Sequence, residues 1–386
     1  MRNFILENFG PIEKADINFG DLTILVGPQG SGKSLSLEVL KLVVDRDHII
    51  NMLDRYNYII GHDRNKILNN YFGEGMASVW TDKTKVEYDN TPFNLSLVAR
   101  KAKEDTDETL FYVPAQRIMS ISDGRPKNFM EFDISSPYVL RMFSETLRLF
   151  MQNGLGTSNM LFPIKTRLKS VMKASFNHSI FHNAEVVMDE RGGQKKMILH
   201  IDDTNVPFMS WSAGQKEFMP LLLSIYCLSG PPSKVVKKEK FKYVVIEEPE
   251  MGLHPKAIVS VILQLLELMQ SGYKLIVTTH SSVFLDFAWA FNFLKTRSNQ
   301  FPQALCDLFD VKEGSSMAKI LGEISTKDIK TYFYHLNDRN GKVTTQDISS
   351  LDVSSDNEFT SEWGGLSSFS TKASEIVSKY VCDDEE

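Results

Sequence analysis

Apolar and polar positions alternate through the first 26 residues, and the alternation ends in the apolar run Leu22-Thr23-Ile24-Leu25-Val26, the pattern of a buried strand. Phe9-Gly10-Pro11-Ile12 punctuates two further strands within that stretch. From Ser34 to Val44 the residues Leu35, Leu37, Val39, Leu40, Leu42 and Val43 suit a buried helix, and 45–75 reads as more helix with poor periodicity. Val79 to Tyr88 and Phe93 to Val98 read as strands, Lys101 to Glu108 as a charged loop, and Leu110 to Val113 as a short buried strand ending at Pro114. Residues 118–136 read as loop, and 137–152 and 160–176 as helices, the second rich in Lys and Arg. A hairpin is expected from Glu185 to Met188, through the turn Glu190-Arg191-Gly192-Gly193, to Lys196 through Ile201. A Pro-led basic loop runs from Gly230-Pro231-Pro232-Ser233-Lys234 to Lys242, and 243–279 reads as strand, loop, helix and strand. Ile329 to Leu336 and Val343 to Ile348 form a last expected strand pair, and Asp383-Asp384-Glu385-Glu386 a frayed tail.

Composition narrows the classes. The chain has 386 residues, 42% hydrophobic and 24% charged, which excludes disordered, collagen-like and coiled-coil chains. With 43 Lys and Arg against 49 Asp and Glu, the formal charge is −6, so a uniformly basic nucleic-acid coat protein is excluded too. Cys227, Cys306 and Cys382 show neither metal nor disulfide spacing, which points to a reducing cytoplasm. No run of 18 apolar residues exists, and the N-terminus lacks an apolar signal core, so no membrane span is expected.

Gly27-Pro28-Gln29-Gly30-Ser31-Gly32-Lys33-Ser34 fits G-x-x-x-x-G-K-[ST] at every fixed position, after an expected strand and before an expected helix. Its glycines let successive N–H groups turn toward phosphate oxygens, and the helix adds its positive end. Lys33 is expected at the β- and γ-phosphates of ATP, with the Ser34 hydroxyl on Mg²⁺. Tyr243-Val244-Val245-Ile246 reads as a central parallel strand ending in Glu247-Glu248-Pro249-Glu250. Taken alone, such a cluster is a solvated acidic turn. Downstream of a phosphate loop it sits where open α/β sheets bind ligands. Neighbouring strand residues face opposite ways, so Glu247 is assigned to the metal and Glu248 to the attacking water. Trp211-Ser212-Ala213-Gly214-Gln215 opens another helix and forms a second anion site. One phosphate loop has no need of two such sites, which suggests a dimer in which this one meets the partner's γ-phosphate. Leu275 to Thr279 reads as a strand ending in His280, whose imidazole can bond a γ-phosphate or the attacking water.

This ordered series resembles the ABC-type ATPase head shared by SMC, RecF-like and OLD-like proteins. Glu247-Glu248-Pro249-Glu250-Met251-Gly252-Leu253-His254-Pro255 is similar to the E-E-P-E-x-x-L-H-P segment of the OLD/RecF-like branch, as are Asn8-Phe9-Gly10-Pro11-Ile12 and Pro114-Ala115-Gln116-Arg117. The resemblance implies an α/β P-loop NTPase that binds ATP and Mg²⁺, hydrolyses ATP and dimerises head to head. It implies nucleotide contacts from residues 27–34, from Ser212, Gly214 and Gln215, and from Gln116, which also senses the metal. Glu248 becomes the catalytic carboxylate and His280 the switch histidine. Glu247 departs from the family's Asp, and Trp211 and Ala213 from its Leu and Gly.

The expected organisation is a split head: an N-terminal lobe over 1–117, a helical and β-hairpin arm over 118–200, a C-terminal lobe over 201–290 and an extension over 291–386. The extension lacks the D-x-D of a TOPRIM nuclease domain, so a stand-alone ATPase is expected. The leading functional expectation is the sensor or regulatory subunit of an anti-phage system, as in PARIS or Septu, controlling a separate nuclease or toxin. The alternative is a repair or chromosome-maintenance ATPase that clamps DNA, with Lys165, Arg167, Lys169 and Lys173, or Lys234, Lys237, Lys238 and Lys240, on its phosphates. A transporter subunit and an intrinsic nuclease are disfavoured.

Overall fold

The computed structural model describes residues 2–59, 61, 63–155, 159–164, 166–191, 193–232 and 235–381. Lys165, Gly192, Ser233, Lys234, Cys382 and the tail from Asp383, on which some expectations fall, lie outside the described residues.

Strands β1 (Asn3–Phe9), β2 (Ile12–Asn18), β3 (Leu22–Val26), β4 (Trp80–Tyr88), β5 (Thr91–Pro92) and β6 (Leu110–Val113) come first. A ribbon of β7 (Ile121–Ser122) and β8 (Arg125–Pro126) follows, then a small antiparallel sheet of β9 (Met160–Phe162), β10 (Glu185–Arg191), β11 (Gln194–Ile201) and β12 (Thr204–Pro207). With β13 (Tyr243–Glu247), β14 (Lys274–Thr278), β15 (Ile329–Asn337) and β16 (Lys342–Asp347), the first six build a ten-stranded sheet of order β5-β4-β1-β2-β16-β15-β3-β14-β13-β6. The helices that matter for the site are α1 (Lys33–Arg55), α2 (Arg64–Phe72), α3 (Leu95–Val98), α4 (Tyr138–Asn153), α5 (Ser170–Phe176), α6 (Ala213–Ser229), α7 (Pro255–Gln270) and α8 (Ser282–Arg297).

Strands β15, β3, β14, β13 and β6 are mutually parallel, so the loops after Val26, Val113, Glu247 and Thr278 gather along one edge. Their side chains alternate between two cores. Val244 and Ile246 pack under α6 and α7 with Leu222, Val261 and Leu265. Val245, with Tyr112 and Ile276, packs under α1 against Leu37 and Leu40. A strand buried on both faces needs no polar alternation, which is why Tyr243 to Ile246 reads as a continuous run.

Two expectations change. Phe93 to Val98 is not a strand: β5 stops at Pro92, which has no N–H to continue a ladder, and Leu95–Val98 is one helical turn. The helix expected over 160–176 shrinks to α5, because Met160-Leu161-Phe162 pairs with β10 instead and Pro163 follows at once. The arm expected over 118–200 packs directly against α6. Phe143, Leu147, Phe162, Phe176 and Val186 share one core with Phe218 and Leu222 of α6, and the small sheet continues to Pro207. Within the expected extension, β15 and β16 lie mid-sheet, joining β3 to β2.

The basic segments are largely engaged. Arg167 is buried and donates to the carbonyls of Tyr226 at 2.9 Å and Gly154 at 2.7 Å. Lys169 lies 3.4 Å from Glu267, Lys240 lies 2.9 Å from Asp107, and Lys238 donates to the Gly230 carbonyl. The continuous cationic helix face is therefore absent among the described residues: the run between β9 and α5 is irregular, and Arg167 turns inward. Cys227 and Cys306 are buried free thiols, and no described helix is long and apolar enough to cross a membrane.

Candidate functional site

The site is built at the parallel edge. β3 ends at Val26 and α1 begins at Lys33; between them Gly27, Gly30 and Gly32 hold φ of 149°, 74° and 84°. A Cβ on Gly27 would lie 2.7 Å from the Tyr334 carbonyl, and one on Gly32 3.0 Å from Ile12. Close approach to β15 and β2 thus requires the glycines as much as the turn does. Gly32 N-caps α1 with no side-chain cap, so no side chain satisfies the first-turn N–H groups, the arrangement that suits an anion. Lys33 Nζ donates to the carbonyls of Gly27 at 2.8 Å and Pro28 at 2.9 Å, and to Ser31 Oγ at 3.4 Å. Burial pushes its pKa down to about 8, against the pull of Glu248, Glu247 and Glu250.

The two strand-end carboxylates have opposite surroundings. Glu247 is buried. Its Oε2 accepts from Ala115 N–H at 3.0 Å, and the Ser34 hydroxyl and Tyr112 phenol face the same carboxylate, while Oε1 has no partner of good geometry. Burial raises its pKa despite those donors. Glu248 leaves the strand with φ 43°, its N–H donating to the Thr278 carbonyl at 2.9 Å. Its carboxylate is partly exposed, 3.5 Å from His280 Nε2. Burial, then the charge of Lys33, lowers the His280 pKa against the opposing pull of Glu248, so the ring is neutral near pH 7. Glu250 Oε1 accepts from the Thr279 hydroxyl and His280 N–H, both at 2.7 Å, and so fixes the histidine's backbone.

Lys33, Ser34, Glu247, Glu248 and His280 are thus brought together at this edge. Ser212 is not part of that cluster. It is exposed at the N-terminus of α6, where its Oγ accepts from Gln215 N–H at 3.2 Å and its own N–H donates to Gln215 Oε1 at 3.2 Å. Gln215 Nε2 also donates to the Ile180 carbonyl at 3.2 Å. Both ends of that amide are engaged within the fold, and with Ser212 it closes a capping box. Gly214 meets the loop after β13: a Cβ there would lie 2.5 Å from the Gly252 carbonyl. Gln116 is exposed in the loop after β6, and its neighbour Ala115 supplies the contact to Glu247.

Two further residues belong to the site. Glu250 is one. Arg117 is the other: fully buried, it donates from Nε to the Glu217 carbonyl at 3.0 Å, and from Nη1 and Nη2 to the carbonyls of Glu247 at 2.9 Å and Glu248 at 3.0 Å. It closes the Pro114-Ala115-Gln116-Arg117 segment, but nothing local signals what it binds, because its partners lie 100 to 131 residues away.

Residues 1–120 match the AAA ATPase domain family, and residues 138–286 match an AAA domain family named for the AbiEii toxin of a type IV TA system. Between them these spans contain every member of the assembled cluster. Two AAA ATPase family models thus match successive parts of the chain, each over less than half of it. The ATPase has an α/β fold whose P-loop joins β3 to α1 at the parallel edge of a mixed sheet. It is similar to the SMC head domain from Thermotoga maritima, at 12% identity over 90% of this chain and 99% of that one, with a TM-score of 0.38. The Smc head with an extended coiled coil, bound to the C-terminal domain of ScpA derived from Pyrococcus furiosus, is similar at 10% identity over 90% and 96%, TM-score 0.37. A dimeric bacterial ABC transporter cassette follows at 12% identity over 72% and 88%, TM-score 0.31. No curated protein matches the sequence.

Proposed function

We propose that this ATPase works as a head-to-head homodimer in which the P-loop of one protomer and the α6 N-terminus of the other enclose Mg²⁺-ATP, and that it is the sensing or regulatory subunit of an anti-phage system with a separate nuclease or toxin effector. One observation carries the dimer: Lys33, Glu248 and His280 are gathered on one edge, while Ser212 stands exposed outside their contacts. The effector reading draws on the toxin–antitoxin name of the family matched by residues 138–286, and on β15 and β16 serving the ATPase sheet rather than a second catalytic domain.

The residues fit a nucleotide and a hard cation. Among the described residues no three His, Cys, Asp or Glu side chains form a ready cage, so a cation would need phosphate and water oxygens besides protein ones. Ser34 and the unpartnered Oε1 of Glu247 are the oxygen donors that would hold it. Mg²⁺, when bound, would neutralise charge on the phosphate oxygens. Lys33 exchanges its loop carbonyls for phosphate. Glu248, the carboxylate of the pair that solvent reaches, takes the proton of the attacking water, and neutral His280 donates or accepts a hydrogen bond beside it.

Light scattering on the Glu248→Gln protein tests the dimer. ATP should double its mass and hydrolysis should fall by about 10²–10⁴. A Glu248→Gln chain that binds ATP yet stays a monomer at all protein concentrations would sink the shared site. Purification from the native host, followed by mass spectrometry, tests the effector.

A further inference from the structure

The buried guanidinium of Arg117 joins three separate pieces of chain. It sits in the loop after β6, grips the carbonyls of Glu247 and Glu248 at the acidic strand end, and grips the Glu217 carbonyl within the first turns of α6. All three acceptors are main-chain carbonyls, so the contact reads backbone position and is indifferent to the side chains carried there. The carboxylates around it, Glu217, Glu250, Glu248 and Glu247, offset the desolvated charge. Glu248 is the residue with most to lose. A non-glycine at φ 43° persists only when its surroundings over-determine it. Here its N–H is held by Thr278 and its carbonyl by Arg117. The far end of the strut lies three residues beyond Gly214, where α6 and the Gly252 loop touch almost backbone to backbone.

We propose that Arg117 is a positioning residue that holds the Glu248 turn and couples it to the N-terminal end of α6, so that a displacement of that end is felt at Glu248. Resting on the assignment of Glu248 as base, it adds the part that tells the base where the exposed helix end is. A lysine ammonium has three donors on one atom but not the planar fork whose Nε, Nη1 and Nη2 reach the Glu217, Glu247 and Glu248 carbonyls together.

The test is Arg117→Lys in the full chain, with affinity for a fluorescent ATP analogue and turnover measured separately, alone and combined with Glu248→Gln. Analogue affinity should stay within about twofold, because the P-loop is not touched, while kcat falls by about 30-fold or more from a misplaced base. In the double variant, single-turnover hydrolysis should be no slower than in Glu248→Gln alone, since Arg117 acts only through that carboxylate. Wild-type turnover in Arg117→Lys, or a further loss of similar size in the double variant, overturns the proposal. Should Arg117→Lys not fold, Glu217→Gly takes its place. It keeps the arginine, loosens the helical turn whose carbonyl it grips, and should give the same split between affinity and turnover at smaller size. Unchanged turnover there is equally fatal. A Glu248→Gln protein with full activity would instead refute the base assignment, a separately visible outcome.

Discussion

The starts of α1 and α6 invite the same reading from sequence: serine, glycine, then a helix whose positive end suits a phosphate. They are built differently. The first turn of α1 follows a left-handed glycine and has no side-chain cap. The first turn of α6 is closed by a reciprocal box between Ser212 and Gln215. An uncapped end is a site held in readiness at some loss of helix stability, and a capped end is a stable helix first. A phosphate can occupy α1 without displacing anything except the lysine's carbonyl contacts. At α6 it must share or displace a hydroxyl already in use. The two ends are thus expected to act at different steps, α1 in binding and α6 in hydrolysis once a second protomer arrives.

The sharpest break of this contrast is at Lys33. Lys33→Ala should weaken nucleotide binding by at least about 100-fold, the loss of a charge-assisted contact from a buried ammonium. Titration with a fluorescent analogue reads it, and retained binding would mean that the loop amides alone hold the phosphates. Ser212→Asp comes next. Aspartate caps a helix as well as serine does, so the denaturant midpoint should hold or rise slightly. If a partner's γ-phosphate approaches this end, the added negative charge should slow hydrolysis by at least about tenfold while leaving binding to α1 intact. Unchanged hydrolysis would reduce Ser212 to a cap and nothing more.

Gly214→Ala separates the fold's need for this glycine from the ligand's. Its Cβ would meet the Gly252 carbonyl at 2.5 Å and push α6 off the loop that carries the acidic residues. Overpacking of that kind costs about 1–3 kcal/mol, visible as a lower denaturant midpoint. Alanine at Gly30 has open space and adds only backbone strain at φ 74°, about 1 kcal/mol. Equal losses at the two positions would mean that the helix–loop approach is loose in solution.

How much of this was legible beforehand follows from the range of the interactions. β3, β13 and β14 are contiguous apolar runs, each followed within seven residues by its functional residue, so both the strands and Lys33, Glu248 and His280 could be read locally. Met160-Leu161-Phe162 could not, because its strand state depends on β10, more than twenty residues on. Nor could the place of β15 and β16, since alternation marks a strand without saying which neighbours it takes. The capping box was in principle readable: Ser212 followed three residues later by Gln215 is its signature, and the stronger expectation of an anion site obscured it.

The smallest effect concerns protons at α1. The Lys33 ammonium is displaced from 10.5 down to about 8 by burial, and phosphate needs the charged form. Raising the pH from 8 to 9 removes the proton from most of the free protein, so affinity should fall by about fivefold, and binding in that window should take up protons. Folding has the opposite sign. Between about 8 and 10.5 the unfolded chain carries the proton more often than the folded one, so this residue makes folding more favourable as pH rises. No corresponding proton uptake is expected from α6, whose box has no titrating member. Calorimetry of nucleotide binding in two buffers of different ionisation enthalpy, at pH 7 and pH 8.5, measures the uptake directly. A buffer-independent heat at pH 8.5 would show that Lys33 is already fully charged in the open loop, and the difference between the two helix ends would then rest on capping alone.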